Sequence, residues 1–388
     1  MEDLLHLVSQ AVKQNIEWSG IGNALSSFVI PMSRTEQNPA FHAEGDVWTH
    51  TKMVCDTLVK LDSFRKLSEE KRRVVFLAAL FHDIGKIPTT RWEDDKWTSP
   101  NHTLVGSKMA RQFLWHELGL CGTPEKQQLR ETVCNLIRYH SFPPHAIDDP
   151  DGKRKLLAIA VNGQNCPLFT IELLCVLCEA DALGRVCLDE KDRVHMAEQV
   201  QLCREFSMEN DCYTGTFSFP SAYTQFYYLG RKNITPEVEL YDDTWGEVIL
   251  MSGLPGTGKD TWIKENCPYL PMISLDEIRK EMRISPIDNQ SKVLEIARER
   301  AKEFLRKRQP FVWNATNLSP MVRQKQIKMF TQYHASTRIV YLETDWKEQL
   351  RRNSDRVATV PEQAICSMME DLVLPEAKEA HYVQWKCV

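Results

Sequence analysis

EVILMSGLPGTGKDTW, residues 247–262, changes character at Gly253. Six strand-type residues end at Ser252, and a run with glycine at 253, 256 and 258 leads to Lys259 and a helix-type segment. A strand feeding G-x4-G-K and then a helix is the setting of a phosphate-binding loop. Glycines let the backbone curl so that its N–H groups face phosphate oxygens, and the helix N-terminus adds partial positive charge. Lys259 supplies a mobile cation for the outer phosphates. Gly253, Gly256, Thr257, Gly258, Lys259, Asp260 and Thr261 are therefore candidate nucleotide contacts. Position 260, where such a loop usually carries Ser or Thr for magnesium, holds Asp260. Either Asp260 serves magnesium, directly or through water, or Thr261 substitutes. A helix turns about 100° per residue, so Thr261 points elsewhere, and Asp260 is preferred.

Downstream of this stretch, strand-like PMIS, PFVWNAT and RIVYLET alternate with helical segments such as QSKVLEIARERAKEFLRKR. That alternation implies a parallel sheet. Asp276 lies 17 residues after Lys259, just past the second strand, in SLDEIR. In a parallel sheet that strand end lies beside the loop. A carboxylate there can orient an attacking hydroxyl and accept its proton. Arg279 is at i+3 on the same helix face and is placed to hold an acceptor phosphate.

Upstream, residues 1 to about 205 are read as nearly all helix. Val47, Val54, Leu58 and Leu61 in VWTHTKMVCDTLVKL keep a helical spacing. EEKRRVVFLAALFHDIGK is a second helix, broken after Asp83 by Gly85 and Pro88. Residues 206–246 are aromatic with little helical period, and are read as a connector packed on both halves. The organisation expected is 1–205, 206–246 and 247–388.

The 388 residues suit two or three domains, and 43% apolar content allows a core in each half. No segment has the apolar length to span a membrane. The start, MEDLLHLVSQAVKQN, lacks signal-peptide features. With twelve cysteines and no such signal, a reducing, cytoplasmic setting is expected. The net charge of −5 argues against bulk nucleic-acid binding. From Glu247 onward, however, 22 basic and 19 acidic residues give +3, so local phosphate contact is plausible there.

FHDIGK, residues 81–86, places His82 and Asp83 together at a helix end, where they can bracket a metal ion. Their candidate partners are His50, near the apolar stripe of its helix, and Asp181, in an apolar stretch where a carboxylate needs a partner or a cation. Imidazole with carboxylate suits Zn, Mn, Ni, Co or Fe, and the sequence does not choose among them. Lys86 and Arg185 are candidate phosphate contacts, although a helix-end surface lysine explains Lys86 equally well. His42, His116 and His145 are placed on the surface or in loops. Cys175 and Cys178, alone inside an apolar helix, are core packing.

The C-terminal part resembles the phage-type 5′-hydroxyl polynucleotide kinases. It carries GLPGTGKDTW, SLDEIR, NATNLSP (314–320) and RRNSDR followed by Val360-Pro361, in that order. The resemblance implies that Lys259 and its neighbour hold phosphates and metal, that Asp276 is the general base, that Arg279 contacts the acceptor phosphate and that Arg356 belongs to a lid over the donor. The N-terminal part resembles the HD phosphohydrolase superfamily over residues 40–190. It implies a first metal at His50, His82, Asp83 and Asp181, and a second at bridging Asp83 with His102 and His140. The whole chain resembles bacterial end-healing enzymes that fuse the two. The implied fold is an all-α HD-domain bundle followed by an α/β P-loop kinase with a parallel sheet. The implied activity is NTP- and Mg2+-dependent phosphorylation of 5′-hydroxyl RNA or DNA ends, with ATP or another NTP as donor. Hydrolysis of 2′,3′-cyclic or terminal phosphates on one or two transition-metal ions accompanies it, and a ligase is the functional partner. Two rivals are a nucleotide-metabolism enzyme with a small-molecule kinase and a nucleotidase, and a non-catalytic sensor of RNA ends.

Overall fold

The computed structural model describes residues 4–13, 15–230, 234–285, 288–356 and 359–388. Its chain divides into two compact units. One holds residues up to Leu120 with Glu125–Phe217, the other Cys121–Pro124 with Ser218–Val388. No helix among the described residues is long and apolar enough to cross a membrane.

The first unit is built on helices, of which five place the candidate residues. Helix α1 (Val47–Leu58) starts where Asp46 accepts from the Thr49 amide at 2.9 Å. Its buried residues include Val47, His50, Thr51, Val54 and Leu58, a helical stripe with His50 in it. Helix α2 (Glu69–Phe81) is capped by Ser68, and every residue from Val74 to Phe81 is buried. A helix apolar all round must lie in the core. Helices α3 (His102–His116) and α4 (Pro124–Tyr139) follow. Helix α5 (Ile171–Leu183), capped by Thr170, buries nearly all of its residues, Asp181 among them. Helices α1, α2 and α5 pack on one another. A Cβ at Gly85 would lie 2.0 Å from the His102 carbonyl oxygen and 2.5 Å from the Gly106 nitrogen, so only glycine lets the start of α3 approach the chain after α2. The helical unit also holds a short hairpin, Arg91–Glu93 with Lys96–Thr98.

The second unit carries a five-stranded sheet from β1 (Glu247–Ser252), β2 (Met272–Ser274), β3 (Phe311–Asn314), β4 (Ser336–Glu343) and β5 (Tyr382–Cys387). The order is β2-β3-β1-β4-β5 and all pairs are parallel. Val248 and Leu250 join a core with Ile273, Phe311 and Trp313 on one face. Ile249 and Met251 join Val312, Val340 and Leu342 on the other. Burial on both faces is why these strands are continuous apolar runs.

The segment 206–246 differs from its sequence reading, and its residues 231–233 lie outside the described residues. Helix Glu190–Glu209 runs through residue 205, and Ala222–Gly230 is a helix. Tyr223, Phe226 and Tyr227 all meet the ring of His381. That is an i, i+3, i+4 face, screened in the sequence by the flanking prolines.

Candidate metal centre and phosphate-binding loop

Three histidines of the first unit are oriented by one local device. His82 follows α2, His102 opens α3 and His140 follows α4. In each, Nδ1 meets the carbonyl oxygen three residues earlier: Ala79 at 2.8 Å, Ser99 at 2.9 Å and Ile137 at 2.8 Å. A carbonyl only accepts, so Nδ1 carries the hydrogen, and in the neutral ring Nε2 is left as a bare lone pair. These Nε2 atoms converge on Asp83 with that of His50.

Asp83 is buried, and its two oxygens face different partners. Its Oδ2 lies 3.3 Å from His82 Nε2 and 3.7 Å from His50 Nε2. Its Oδ1 lies 3.6 Å from His102 Nε2 and 3.8 Å from His140 Nε2, and has no hydrogen-bond partner. Asp181 Oδ1 is 3.1 Å from His50 Nε2 and 4.0 Å from His82 Nε2. The geometry thus gathers His50, His82 and Asp181 on one side, and Asp83, His102 and His140 on the other. His50 Nε2 and His82 Nε2 stand 3.3 Å apart, so a proton or a metal cation must lie between them.

This donor set fits divalent metal. Ligands at about 2.1 Å from one tetrahedral ion lie roughly 3.4 Å from each other, which is the spacing found. The energetics agree. Burying one Val or Leu contributes about 1.5–3 kcal/mol, whereas an uncompensated buried ion costs several kcal/mol. Two buried carboxylates therefore require cations, of which Lys86 and Arg185 supply one each. Burial opposes the charge of Asp83, but Lys86 and His82 hold its carboxyl well below the usual range. Burial opposes the charge of Asp181 too, and Arg185 and His50 outweigh it. Burial, with the charges of His82 and His102, pulls His140 down to about 3, keeping it neutral as a ligand.

Lys86 is a buried residue. Its Nζ lies 2.7 Å from Asp83 Oδ2 and donates to Gln37 Oε1 at 2.7 Å. Arg185 pairs with the Asp181 carboxylate and donates to its backbone oxygen. Both candidate phosphate cations therefore engage candidate metal-ligand carboxylates. His116 and His145 are exposed. His42 lies in a loop, one of the two placements expected for it, but not at the surface. It is buried, its Nδ1 is 3.0 Å from Glu44 Oε1, and its ring packs edge-on to His50. Burial, with the charge of Lys86, pulls it down to about 3. Cys175 and Cys178 are buried and unbridged. Glu44 and Gln37 went unread in the sequence because no periodicity marks a loop residue that reaches a ligand sideways.

In the second unit, the candidate residues stand at the carboxyl ends of four strands. The loop after β1 leads into helix α6 (Lys259–Asn266). Gly253 has φ 142°, and a Cβ there would lie 2.5 Å from the Leu342 carbonyl oxygen, so both its conformation and its space require glycine. Thr257 is buried, its hydroxyl donating to the Leu254 carbonyl at 2.9 Å. Gly256 and Gly258 are in the left-handed region. Lys259 Nζ donates to the Gly253 and Leu254 carbonyls at 2.9 and 2.8 Å. Enclosure of that ammonium pulls it down to about 8.

After β2, helix α7 (Leu275–Met282) carries Asp276, whose side chain is 62% exposed. One Asp276 oxygen pairs with Arg279, and the other lies 3.5 Å from an Arg356 nitrogen. Arg279 also donates to Gln290 at 2.7 Å. After β3, Asn314 donates to Asp260 Oδ1 at 2.6 Å. Thr261 is exposed on α6. After β4, helix α8 (Trp346–Ser354) lies against the loop, with Gln349 donating to the Pro255 carbonyl at 2.9 Å. Arg351 is exposed and pairs with Glu348 and Asp355. The guanidinium of Arg352 lies 3.3 Å from where a Gly258 Cβ would stand, which makes it a loop neighbour that the sequence reading did not single out.

Comparison with known families agrees with this division. Residues 47–184 match the family model of the HD domain. Residues 248–375 match a family model described as an AAA domain. The chain thus joins a helical HD domain to a P-loop, kinase-like domain with a five-stranded parallel sheet, a two-domain pairing suited to phosphoester hydrolysis and phosphoryl transfer.

Proposed function

We propose that the protein heals broken nucleic-acid ends, phosphorylating 5′-hydroxyl termini in the second unit and removing 2′,3′-cyclic or terminal phosphates in the first. The observation that carries this reading is the setting of Asp276. The carboxylate follows β2, which β3 separates from the loop-bearing β1, yet its charge reaches Lys259, and it is flanked by Arg279 and Arg356 with its side chain 62% exposed. An acceptor hydroxyl on a long strand reaches such a base from solvent, whereas a lone nucleoside suits an enclosed pocket.

In this mechanism the loop amides and Lys259 hold the donor NTP phosphates, ATP or another NTP. Asp276 orients the 5′-hydroxyl and accepts its proton, Arg279 binds the acceptor phosphate, and Arg356 neutralises charge on the transferring group. Asp260, which accepts from Asn314, would serve the magnesium that accompanies the NTP. In the first unit, His50, His82, Asp83 and Asp181 would hold one transition-metal ion, and Asp83, His102 and His140 a second. Such ions supply an acidified water and positive charge beside the phosphorus. Lys86 and Arg185, at the edge of the cluster, provide the remaining cationic contacts to substrate phosphate. The products are ends of the kind a ligase joins, so RNA or DNA termini are the substrates and a ligase is the functional partner.

The test is a labelled oligonucleotide with a 5′-hydroxyl and a 2′,3′-cyclic phosphate, run beside a nucleoside and a 2′,3′-cyclic mononucleotide. Both oligonucleotide ends are expected to react with the higher kcat/KM. Preference for the monomers in both reactions favours a nucleotide-metabolism enzyme, and no turnover with any metal favours a non-catalytic sensor.

The Asp260 assignment has its own test. Asp260→Ala is expected to lower phosphorylation at least about tenfold more than Thr261→Ala, the scale of outer-sphere losses at metal sites. Initial rates across a magnesium titration measure it, and the reverse ranking moves the role to Thr261.

A further inference from the structure

We propose that Glu44 is the positioning residue that fixes His50 for metal binding and ties α1 to the end of α5. The inference rests on the metal reading of the first unit. His50 differs from the other three histidines of the cluster in lying inside a helix rather than at a helix end. There the ring cannot borrow a carbonyl as His82, His102 and His140 do. The carbonyl three residues earlier, Val47 O, already accepts the Thr51 hydroxyl at 2.8 Å. Glu44, in the loop before α1, takes that part. Its Oε1 lies 2.7 Å from His50 Nδ1, at hydrogen-bond distance although off the ideal N–H axis, and 3.0 Å from His42 Nδ1. Its Oε2 accepts from the Val186 amide at 3.0 Å.

The carboxylate side chain is 2% exposed, with His42, His50 and the Val186 amide against its oxygens. Burial works against its charge, but the His42 and His50 contacts hold it well below the usual carboxylate range. Val186 follows Arg185, three residues beyond the end of α5. The same two loops are joined again by Ala43 N to Val186 O at 2.8 Å and Leu188 N to Ala40 O at 3.0 Å. One side chain thus sets the tautomer of a ligand on α1 and the position of the segment after Asp181 on α5. A carboxylate on Nδ1 obliges His50 to present Nε2 as its lone pair and strengthens it as a donor to metal.

Glu44→Gln separates this role from simple packing. The amide has one oxygen and one NH2 group. With the oxygen toward the Val186 N–H, the NH2 faces His50 Nδ1, forcing that nitrogen to accept and moving the ring hydrogen to Nε2, where it blocks ligation. Glu44→Asp disturbs the geometry more but keeps an acceptor. The experiment titrates Co2+ into chelator-stripped full-length chain without nucleotide, followed by calorimetry and by the visible absorption of the bound ion. The expected result is a 10–100-fold weaker first Co2+ site in Glu44→Gln. Its visible band is altered, Glu44→Asp partly restores affinity, and 5′-kinase activity is unchanged, which reports an intact second unit. Wild-type affinity and spectrum in Glu44→Gln, while His50→Ala loses the ion, overturn the role of Glu44 and leave the metal reading standing. Equal Co2+ binding by wild type and His50→Ala removes the metal reading and this proposal with it.

Discussion

Asp83→Ala is expected to abolish phosphoester hydrolysis while leaving 5′-phosphorylation within about twofold of wild type. The two oxygens of Asp83 serve both halves of the cluster, toward His50 and His82 on one side and His102 and His140 on the other. Removing it dismantles both candidate ion sites at once. Lewis-acid stabilisation of a phosphoester transition state is worth several kcal/mol. With each 1.36 kcal/mol a factor of ten, the loss is on the order of 10³-fold or more. The substitution also leaves Lys86 without its 2.7 Å counter-ion, so some loss of thermal stability accompanies it. Asp83→Asn keeps the volume and tests the charge alone. It should lose hydrolysis to nearly the same degree, because an amide is a poor bridging ligand. Release of phosphate from a 2′,3′-cyclic end, with 5′-labelling measured on the same preparation, decides it. Loss of both reactions together contradicts independent sites.

The complementary substitution acts at the other end. Asp276→Ala is expected to lower phosphorylation of a 5′-hydroxyl by about 10² to 10⁴-fold, the range of general-base catalysis, with hydrolysis unchanged. The loss should fall on kcat. Asp276 pairs with Arg279 and Arg356, and reaches the phosphate loop only through its charge on Lys259. Its removal also frees Arg356 for the donor phosphates, so the KM for NTP should not rise. Steady-state kinetics in NTP at saturating oligonucleotide separate the two parameters. A raised KM with unchanged kcat assigns Asp276 to nucleotide binding instead.

Both halves of the fold were legible because each has a local signature. EVILMS ending at glycine fixes a strand, a turn and a helix at once, and the continuous burial of Val74–Phe81 follows from an apolar run at helical length. β5 was not legible. Tyr382–Cys387 is a half-exposed edge strand whose partner, β4, ends about forty residues earlier. The helix Ala222–Gly230 was missed because prolines on either side masked a nine-residue period. At the candidate sites, His50, His82, Asp83 and Asp181 could be picked out from their chemistry and helical positions, whereas His102 and His140 came only from the resemblance to the HD phosphohydrolases. Glu44, Gln37 and Asn314 could not be picked out. Each is an ordinary polar residue whose importance lies in the atom it faces, and only the fold brings Glu44 to Val186 or Asn314 to Asp260. His42 lies in a loop as expected, but its burial could not be read, since a loop residue is buried only by what closes over it.

The sheet has a consequence for how quickly each half reaches its native form. Every strand pair in it is parallel, so no two neighbours can zip together through a tight turn. β1, which bears the phosphate loop, is flanked by β3 and β4, whose residues lie some 60 to 90 positions away along the chain. Closing such distances precedes the contacts that reward it, which slows folding and leaves strand edges bare meanwhile. The helical unit can form much of its backbone bonding locally. Newly made chains should therefore pass through a stage in which the bundle is assembled and the sheet is not, and it is at that stage that the protein is most exposed to self-association and most in need of a chaperone.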